Sequence, residues 1–158
     1  MKIAVFSDTH GNIDFALSVI DQYGPDLILH LGDSARDAKD IHRRRPDIPI
    51  EYVTGNWYDD GTEEIVKVIR PMGVGILLTH GHKHNVDAGL ARLEREAAAH
   101  GVSIALYGHT HTPNHRVIDG IRYMNPGTAG KSRALTWGRI ELGEGRIIEC
   151  RIVTGITD

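Results

Sequence analysis

The sequence predicts an α/β fold in which helices pack on a mostly parallel sheet and the C-terminal portion turns antiparallel. Three observations lead there: a β-α-β-α-β alternation from Ile3 to Thr54, potential metal ligands directly after five of the predicted strands, and strands joined by tight turns from Arg116 onward. The chain has 158 residues, the length of one domain spanning 1–158, and can bury a core without disulfides.

Ile3 to Ser7 is a short apolar run bounded by Asp8 and Gly11, as a buried strand requires. Asn12 offers an N-cap to a helix in which Ile13, Ala16, Leu17, Ile20 and Tyr23 recur at helical spacing until Gly24-Pro25 stops it. Leu27 to Leu31 reads as the second strand, Ala35 to about Arg44 as a polar helix ending before Pro46, and Ile50 to Thr54 as the third strand. After a loop from Gly55 to Gly61, the Ile- and Val-rich stretch Glu63 to Arg70 adds a strand, and Val74 to Thr79 follows across Pro71-Met72-Gly73. A helix is expected from about Val86 to His100, with Val86, Leu90, Leu93 and Ala97 on its apolar face and Gly101 closing it. Ser103 to Tyr107 is a further strand. Asp119-Gly120 suits a type I′ hairpin, and Gly143-Glu144-Gly145 marks a turn before the strand from Arg146 to Val153.

Composition removes several classes of function. With 41% hydrophobic and 25% charged residues the chain is globular rather than disordered. A net charge of -3 supplies no basic field for nucleic acid or an anionic membrane, and Arg43-Arg44-Arg45 before Pro46 reads as a solvated helix end. The lone Cys150 cannot form an internal disulfide, the first apolar run stops too early for a signal peptide, and no stretch approaches ~18 apolar residues. A cytoplasmic protein is expected.

Ten histidines are a surplus in so short a chain, and their positions are informative. Asp8 and His10, Asp33, Asn56, His80, then His109 and His111 each follow a predicted strand within one or two residues or so. In open α/β sheets ligands bind beyond the carboxyl ends of the strands, so these side chains converge there. They are too many for one ion and enough for two. Imidazole suits borderline divalent metals, and a carboxylate can bridge two of them. Two divalent ions against two aspartates leave excess positive charge, which draws in a phosphate and lowers the pKa of a bound water toward ~7.

Asp8-Thr9-His10, Gly32-Asp33, Gly55-Asn56, Thr79-His80-Gly81-His82 and Gly108-His109-Thr110-His111 resemble, in order and spacing, the five blocks of the calcineurin-like metallophosphoesterases. Asn125-Pro126-Gly127-Thr128 is similar to the Asn-Pro-Gly-Ser segment of their small, single-domain phosphodiesterase branch. The resemblance implies a four-layer α-β-β-α sandwich of two mixed sheets with the metal site at the carboxyl ends of the strands. It also implies that Asp8, His10 and His111 hold a first metal and Asn56, His80 and His109 a second, with Asp33 bridging. The implied cofactors are two divalent ions, manganese first, with nickel, zinc, iron or magnesium as substitutes. The implied reaction is hydrolysis of a small-molecule phosphate ester, most often a diester, by a metal-bridging hydroxide.

One block departs from the pattern. Many family phosphatases continue the Gly-Asn block with His-Asp or His-Glu, whereas this chain has Trp57-Tyr58, so no general acid stands there and Asp59 lies one residue beyond the expected one. The missing histidine tilts the reading toward diesters, with a phosphomonoesterase or nucleotide hydrolase as the alternative. A non-catalytic protein-binding scaffold on the same fold is the alternative from another class. Asn56 and His82 are the candidate catalytic residues, His82 because it lies two residues past the ligand His80. Arg36 and Trp57 are the candidate substrate contacts, although Trp57 and Tyr58 equally suit the interface of a homo-oligomer. His30 reads as a hydrogen-bonded core histidine, and His42, His84, His100 and His115 as peripheral.

Overall fold

The computed structural model describes residues 1–56 and 64–156. In chain order its elements are β1 (Lys2–Phe6), α1 (Asp14–Tyr23), β2 (Leu27–His30), α2 (Ala35–Arg44), β3 (Ile50–Tyr52), β4 (Val66–Ile69), β5 (Ile76–Thr79), α3 (Ala91–His100), β6 (Ile104–Leu106), β7 (Asn114–Ile118), β8 (Ile121–Asn125), β9 (Thr136–Gly143) and β10 (Arg146–Thr154). Single 3₁₀ turns cover Pro71–Gly73 and His82–His84.

The strands form two five-stranded mixed sheets, ordered β10-β9-β1-β2-β3 and β4-β5-β6-β8-β7. In the first, β1, β2 and β3 run parallel, as their helical crossovers require, while β9 and β10 form an antiparallel hairpin against β1. In the second, β5, β6 and β8 are parallel, with β4 and β7 antiparallel at the edges.

Period-two alternation separates the buried residues into three layers of core. Ile3 and Val5 of β1, with Leu27 and Leu29 of β2, face the second sheet, where they meet Ile76, Leu78, Ile104, Leu106 and Met124. Their neighbours Ala4 and Phe6 point outward onto Phe15, Ala16, Val19 and Ile20 of α1 and Ile41 of α2. On the far side Leu77, Ala105 and Tyr123 receive Leu93 and Ala97 of α3. The result is the helix-sheet-sheet-helix sandwich expected from the motifs, and β1 is hydrophobic throughout its interior because both of its faces are covered.

Local details differ from the sequence expectations. Asn12 is not the cap of α1: Ile13 holds that position, and the Asn12 side chain instead donates to the Gly130 carbonyl at 2.8 Å. The third helix begins at Ala91 rather than near Val86, because Asn85 and Gly89 take positive φ values of 54° and 133°, incompatible with a helix. The expected strand from Glu63 to Arg70 is confined to Val66–Ile69 among the described residues. No helix among the described residues is long and apolar enough to cross a membrane.

Because Leu78 is fully buried between the sheets, Leu78→Ala is expected to cost about 2–5 kcal/mol, whereas Ile148→Ala at an exposed site on β10 stays within about 0.5 kcal/mol. Urea unfolding of both variants measures the contrast.

Candidate metal centre

The loops at the carboxyl ends of β1, β2, β3, β5 and β6 bring the predicted ligands to one end of the sandwich. Asp8, His10, Asp33 and His111 offer ligand atoms all within 4.8 Å of one another. The Asp33 carboxylate lies between two imidazoles, with Oδ2 3.3 Å from His10 Nε2 and Oδ1 3.3 Å from His80 Nε2. On the far side of His80, the His109 ring centroid is 5.2 Å away and His109 Nδ1 is 3.2 Å from Asn56 Oδ1. The seven residues therefore form two adjoining groups, with Asp33 touching both.

The backbone pays for this convergence in conformation. Asp8, His10, Asp33, His109 and His111 all adopt positive φ, between 48° and 71°. Asp and His tolerate this region better than most residues, yet each such residue still costs of order 1–3 kcal/mol. Glycines permit the close contact of the loops. A Cβ on Gly55 would overlap the Asp33 backbone, and one on Gly108 would overlap Ser7 Oγ.

A buried hydrogen-bond network holds the loops. His30 is fully buried, which lowers its pKa to about 4 and keeps the ring neutral. Its Nδ1 accepts from Gly32 N at 3.2 Å, so Nε2 carries the proton and donates to Thr9 Oγ1 at 3.0 Å. Thr9 in turn donates to Asp37 Oδ2 at 2.6 Å, and Gly11 N donates to the same oxygen at 2.7 Å. Asp37 N is capped by Ser34 Oγ at the start of α2. The chain of bonds ties the Asp8-to-Gly11 loop to the Gly32-Asp33 loop on both sides of Thr9. The Asn-Pro-Gly-Thr segment braces the other side: Asn125 Nδ2 donates to the Gly108 carbonyl at 2.8 Å, and Thr128 Oγ1 donates to the Asp8 carbonyl at 2.8 Å.

The donor set fits divalent cations on a structural ground. His80 Nδ1 donates to the Leu31 carbonyl at 2.9 Å, which leaves the lone pair of Nε2 facing the Asp33 carboxylate. His109 repeats the pattern, with Nε2 2.9 Å from Asp87 Oδ2 and Nδ1 beside the Asn56 oxygen. Asp8 Oδ1, Asp33 Oδ1 and His80 Nε2 are buried with no hydrogen-bond partner. Unpaired acceptors aimed at one another are costly unless a cation or a proton lies between them. In the protein without metal, protons take that role. Burial disfavours the charged form of His80, but the hydrogen bond that protonated Nε2 donates to Asp33 and the charges of Asp8 and Asp33 outweigh it and raise its pKa above the ordinary 6.5. Burial likewise opposes ionisation of Asp33, and the nearby histidines, His80 foremost, overcome it and lower its pKa.

The remaining predicted residues are placed as follows. His82 lies beside the second group, its ring centroid 5.6 Å from that of His80, and burial together with the charge of His80 lowers its pKa. Arg36 is exposed in the first turn of α2, its Nε 3.9 Å from Asp40 Oδ2 on its own helix. Trp57, Tyr58 and Asp59 lie outside the described residues. His30 is the hydrogen-bonded core histidine that was expected. His84 is buried rather than peripheral, because Nε2 lies 2.6 Å from Glu96 Oε2 and Nδ1 3.3 Å from Thr79 Oγ1, fastening the 3₁₀ turn to α3. Sequence reasoning passed over Asp37, Asp87 and the role of Thr9, although the position of Thr9 between two ligands was a usable signal.

A family profile for the calcineurin-like phosphoesterase superfamily domain matches residues 1–140. A Mycoplasma pneumoniae protein named a probable metallophosphoesterase is 29% identical over 153 residues, covering 92% of each chain. A phosphodiesterase of Methanocaldococcus jannaschii is 27% identical over 144 residues, 80% of this chain and 83% of its own. Among solved structures, a conserved Streptococcus pneumoniae protein described as a predicted phosphoesterase superposes with a TM-score of 0.80 at 26% identity, over 97% of this chain and 88% of that one.

Two outcomes follow from the network and the raised His80 pKa. Thr9→Val is expected to weaken manganese binding about 10- to 100-fold, as loss of a bond supporting a ligand loop does, and calorimetric titration reads it directly. Since a proton on His80 Nε2 competes with the cation, manganese affinity is expected to fall as pH drops through a value above 6.5, by roughly tenfold per pH unit for each proton displaced. The sign reverses for the metal-free fold: there the raised His80 pKa adds stability below the unfolded value of 6.5, and that stability is lost as pH climbs through the folded value. Titrations and thermal melts at about pH 6 and about pH 8 separate the two effects.

Proposed function

Since the chain belongs to the calcineurin-like phosphoesterase superfamily, we propose that it is a phosphodiesterase working with two divalent cations, which the two residue groups sharing Asp33 would hold. The observation that carries this reading is the Asp33 carboxylate, whose two oxygens each lie 3.3 Å from the imidazole of a different ligand group. In this reading Asp8, His10 and His111 complete one group, and Asn56, His80 and His109 the other. The imidazole, amide and carboxylate donors suit manganese, and also nickel, zinc, iron or magnesium. When bound, such ions supply positive charge to the phosphoryl oxygens and lower the pKa of water from 15.7 toward ~7.

The chain's own residues fix orientation. Asp87 and the Leu31 carbonyl hold the rings of His109 and His80 by their outer nitrogens, so that the inner nitrogens face the site. Asn56 presents its amide oxygen beside His109, and would help hold a metal in the second group. His82, with its lowered pKa, is neutral near pH 7 and acts as a hydrogen-bond acceptor at the lip of the site rather than as a proton donor. The preference for a diester rests on Trp57-Tyr58 standing where a histidine acid is expected, and the curated phosphodiesterase relative supports it. Seven metal-competent residues at converging loops are what metal-dependent hydrolysis needs and more than a protein-binding scaffold requires, so the hydrolase is the better reading. The unpaired Cys150, half-buried with its thiol pKa raised to about 11 by that burial, suits a reducing compartment such as the cytoplasm.

Stripping the protein with a chelator is expected to abolish hydrolysis of bis-p-nitrophenyl phosphate. Added manganese restores it and favours this diester over p-nitrophenyl phosphate. Asp33→Ala is expected to lower the restored rate roughly 10²-fold or more, the scale of losing one group that stabilises developing charge, with circular dichroism unchanged. Full diesterase activity in that variant would sink the proposal.

A further inference from the structure

A cavity of ≈ 340 Å³ lies between the Val86-to-Leu90 segment, the first turn of α3 and β7. It is separate from the candidate metal centre, since none of the seven candidate ligands lines it. Its volume is near the lower end of small-molecule sites, ~300–1,000 Å³, which suits one small molecule.

The lining carries charges that the protein leaves uncompensated. Glu94 on α3 and Arg116 on β7 both line the cavity, yet among the described residues neither forms an ion pair with the other or with any third group. Asn114, also on the lining and two residues before Arg116 on β7, has a buried Oδ1 without a hydrogen-bond partner. Residues 114 and 116 project from one face of the strand by period-two alternation, so this acceptor and the guanidinium stand on the same wall. An ammonium group would satisfy Glu94 and Asn114 Oδ1, which only accept hydrogen bonds, and a carboxylate would meet the fork of Arg116. Val86, Leu90 and Ile118 add an apolar wall. A second anionic group has no counter-charge here, because Asp87, the remaining charged residue of the lining, is itself negative. We propose that this cavity binds a small zwitterion, a free α-amino acid with an apolar side chain.

Occupancy is tied to the candidate metal centre, and this part of the inference rests on the two-cation reading. Asp87 lines the cavity, and its Oδ2 lies 2.9 Å from His109 Nε2, the nitrogen turned away from Asn56. A ligand ammonium that draws on Asp87 loosens its hold on the His109 ring. The amino acid and the metal therefore oppose one another, by the same factor in both directions.

The binding test uses ¹⁵N-labelled protein without metal, titrated with L-leucine and with 4-methylpentanoate, 3-methylbutylamine and glycine, which lack in turn its ammonium, its carboxylate and its side chain. Leucine is expected to shift the amides of Val86 to Leu90 and of Asn114 to Ile118. Each analogue is expected to bind about tenfold more weakly, the scale of one hydrogen bond to a charged group or one buried aliphatic side chain. Arg116→Gln is expected to weaken leucine about tenfold and leave 3-methylbutylamine unchanged, whereas Glu94→Gln weakens leucine and leaves 4-methylpentanoate unchanged. No shift of these amides with leucine, or analogues that bind as tightly as leucine, overturns the site. In calorimetric titrations, saturating leucine is expected to weaken manganese binding about fivefold or more. Unchanged manganese affinity with leucine bound overturns the linkage and leaves the amino-acid site standing. Absence of manganese binding with the amide shifts intact overturns the two-cation reading and leaves the cavity's ligand class supported.

Discussion

A cluster of acceptor atoms that needs a cation or a proton between them is the constraint on which the rest of this structure depends. His80 Nε2 faces Asp33 Oδ1, His109 Nδ1 faces Asn56 Oδ1, and Asp8 Oδ1 is buried 3.2 Å from His111 Nε2 with no hydrogen-bond partner. Left to itself such a cluster would spread into water, where each lone pair finds a donor. The surrounding chain prevents this with backbone carbonyls and carboxylates that fix the outer nitrogens of the rings, and with glycines that let the loops touch. The left-handed conformation of five ligand residues belongs to the same account, because it is the geometry forced on a loop that must turn its side chain back over the strand end.

The layers and the site divide the work. Three hydrophobic clusters supply stability, and none of the seven ligands contributes to them. The site is instead held by polar bonds that radiate from Thr9, Asp37 and Asn125 into the same scaffold. Those bonds originate on helix starts and strand ends, which makes the positions of the ligands as rigid as the elements that carry them.

Much of this was legible in the sequence. The alternation from Ile3 to Thr54 gave the parallel half of the first sheet, and the convergence of the candidate ligands was legible because Asp, Asn and His recur just after apolar runs. Periodicity could not show that the C-terminal strands divide between two sheets, since β8 pairs with β6 and β9 with β1 only through contacts distant in sequence. The helix expected from Val86 starts late for a related reason: Leu93 and Ala97 do lie on α3, but Val86 and Leu90 serve a turning segment that packs into the same cluster. His84 looked peripheral because its partner Glu96 lies twelve residues away on another element. Asp87 and Asp37 carry no pattern of their own and become meaningful only through the histidine and threonine they touch.

The seven candidate ligands come from both sheets: Asp8, His10, Asp33 and Asn56 follow strands of the first, and His80, His109 and His111 follow strands of the second. Any group that joins them is a crosslink in the polymer sense. His10 and His111 are 101 residues apart, and fastening them together closes most of the chain into a ring. In the chain-entropy treatment of covalent links, a closed loop of about 100 residues removes roughly 4.7 kcal/mol of freedom from the unfolded ensemble. A cation held across these loops would thus double as a clasp on the two halves of the sandwich, and resistance to proteolysis and to slow unfolding would become a property shared by the core and the candidate site.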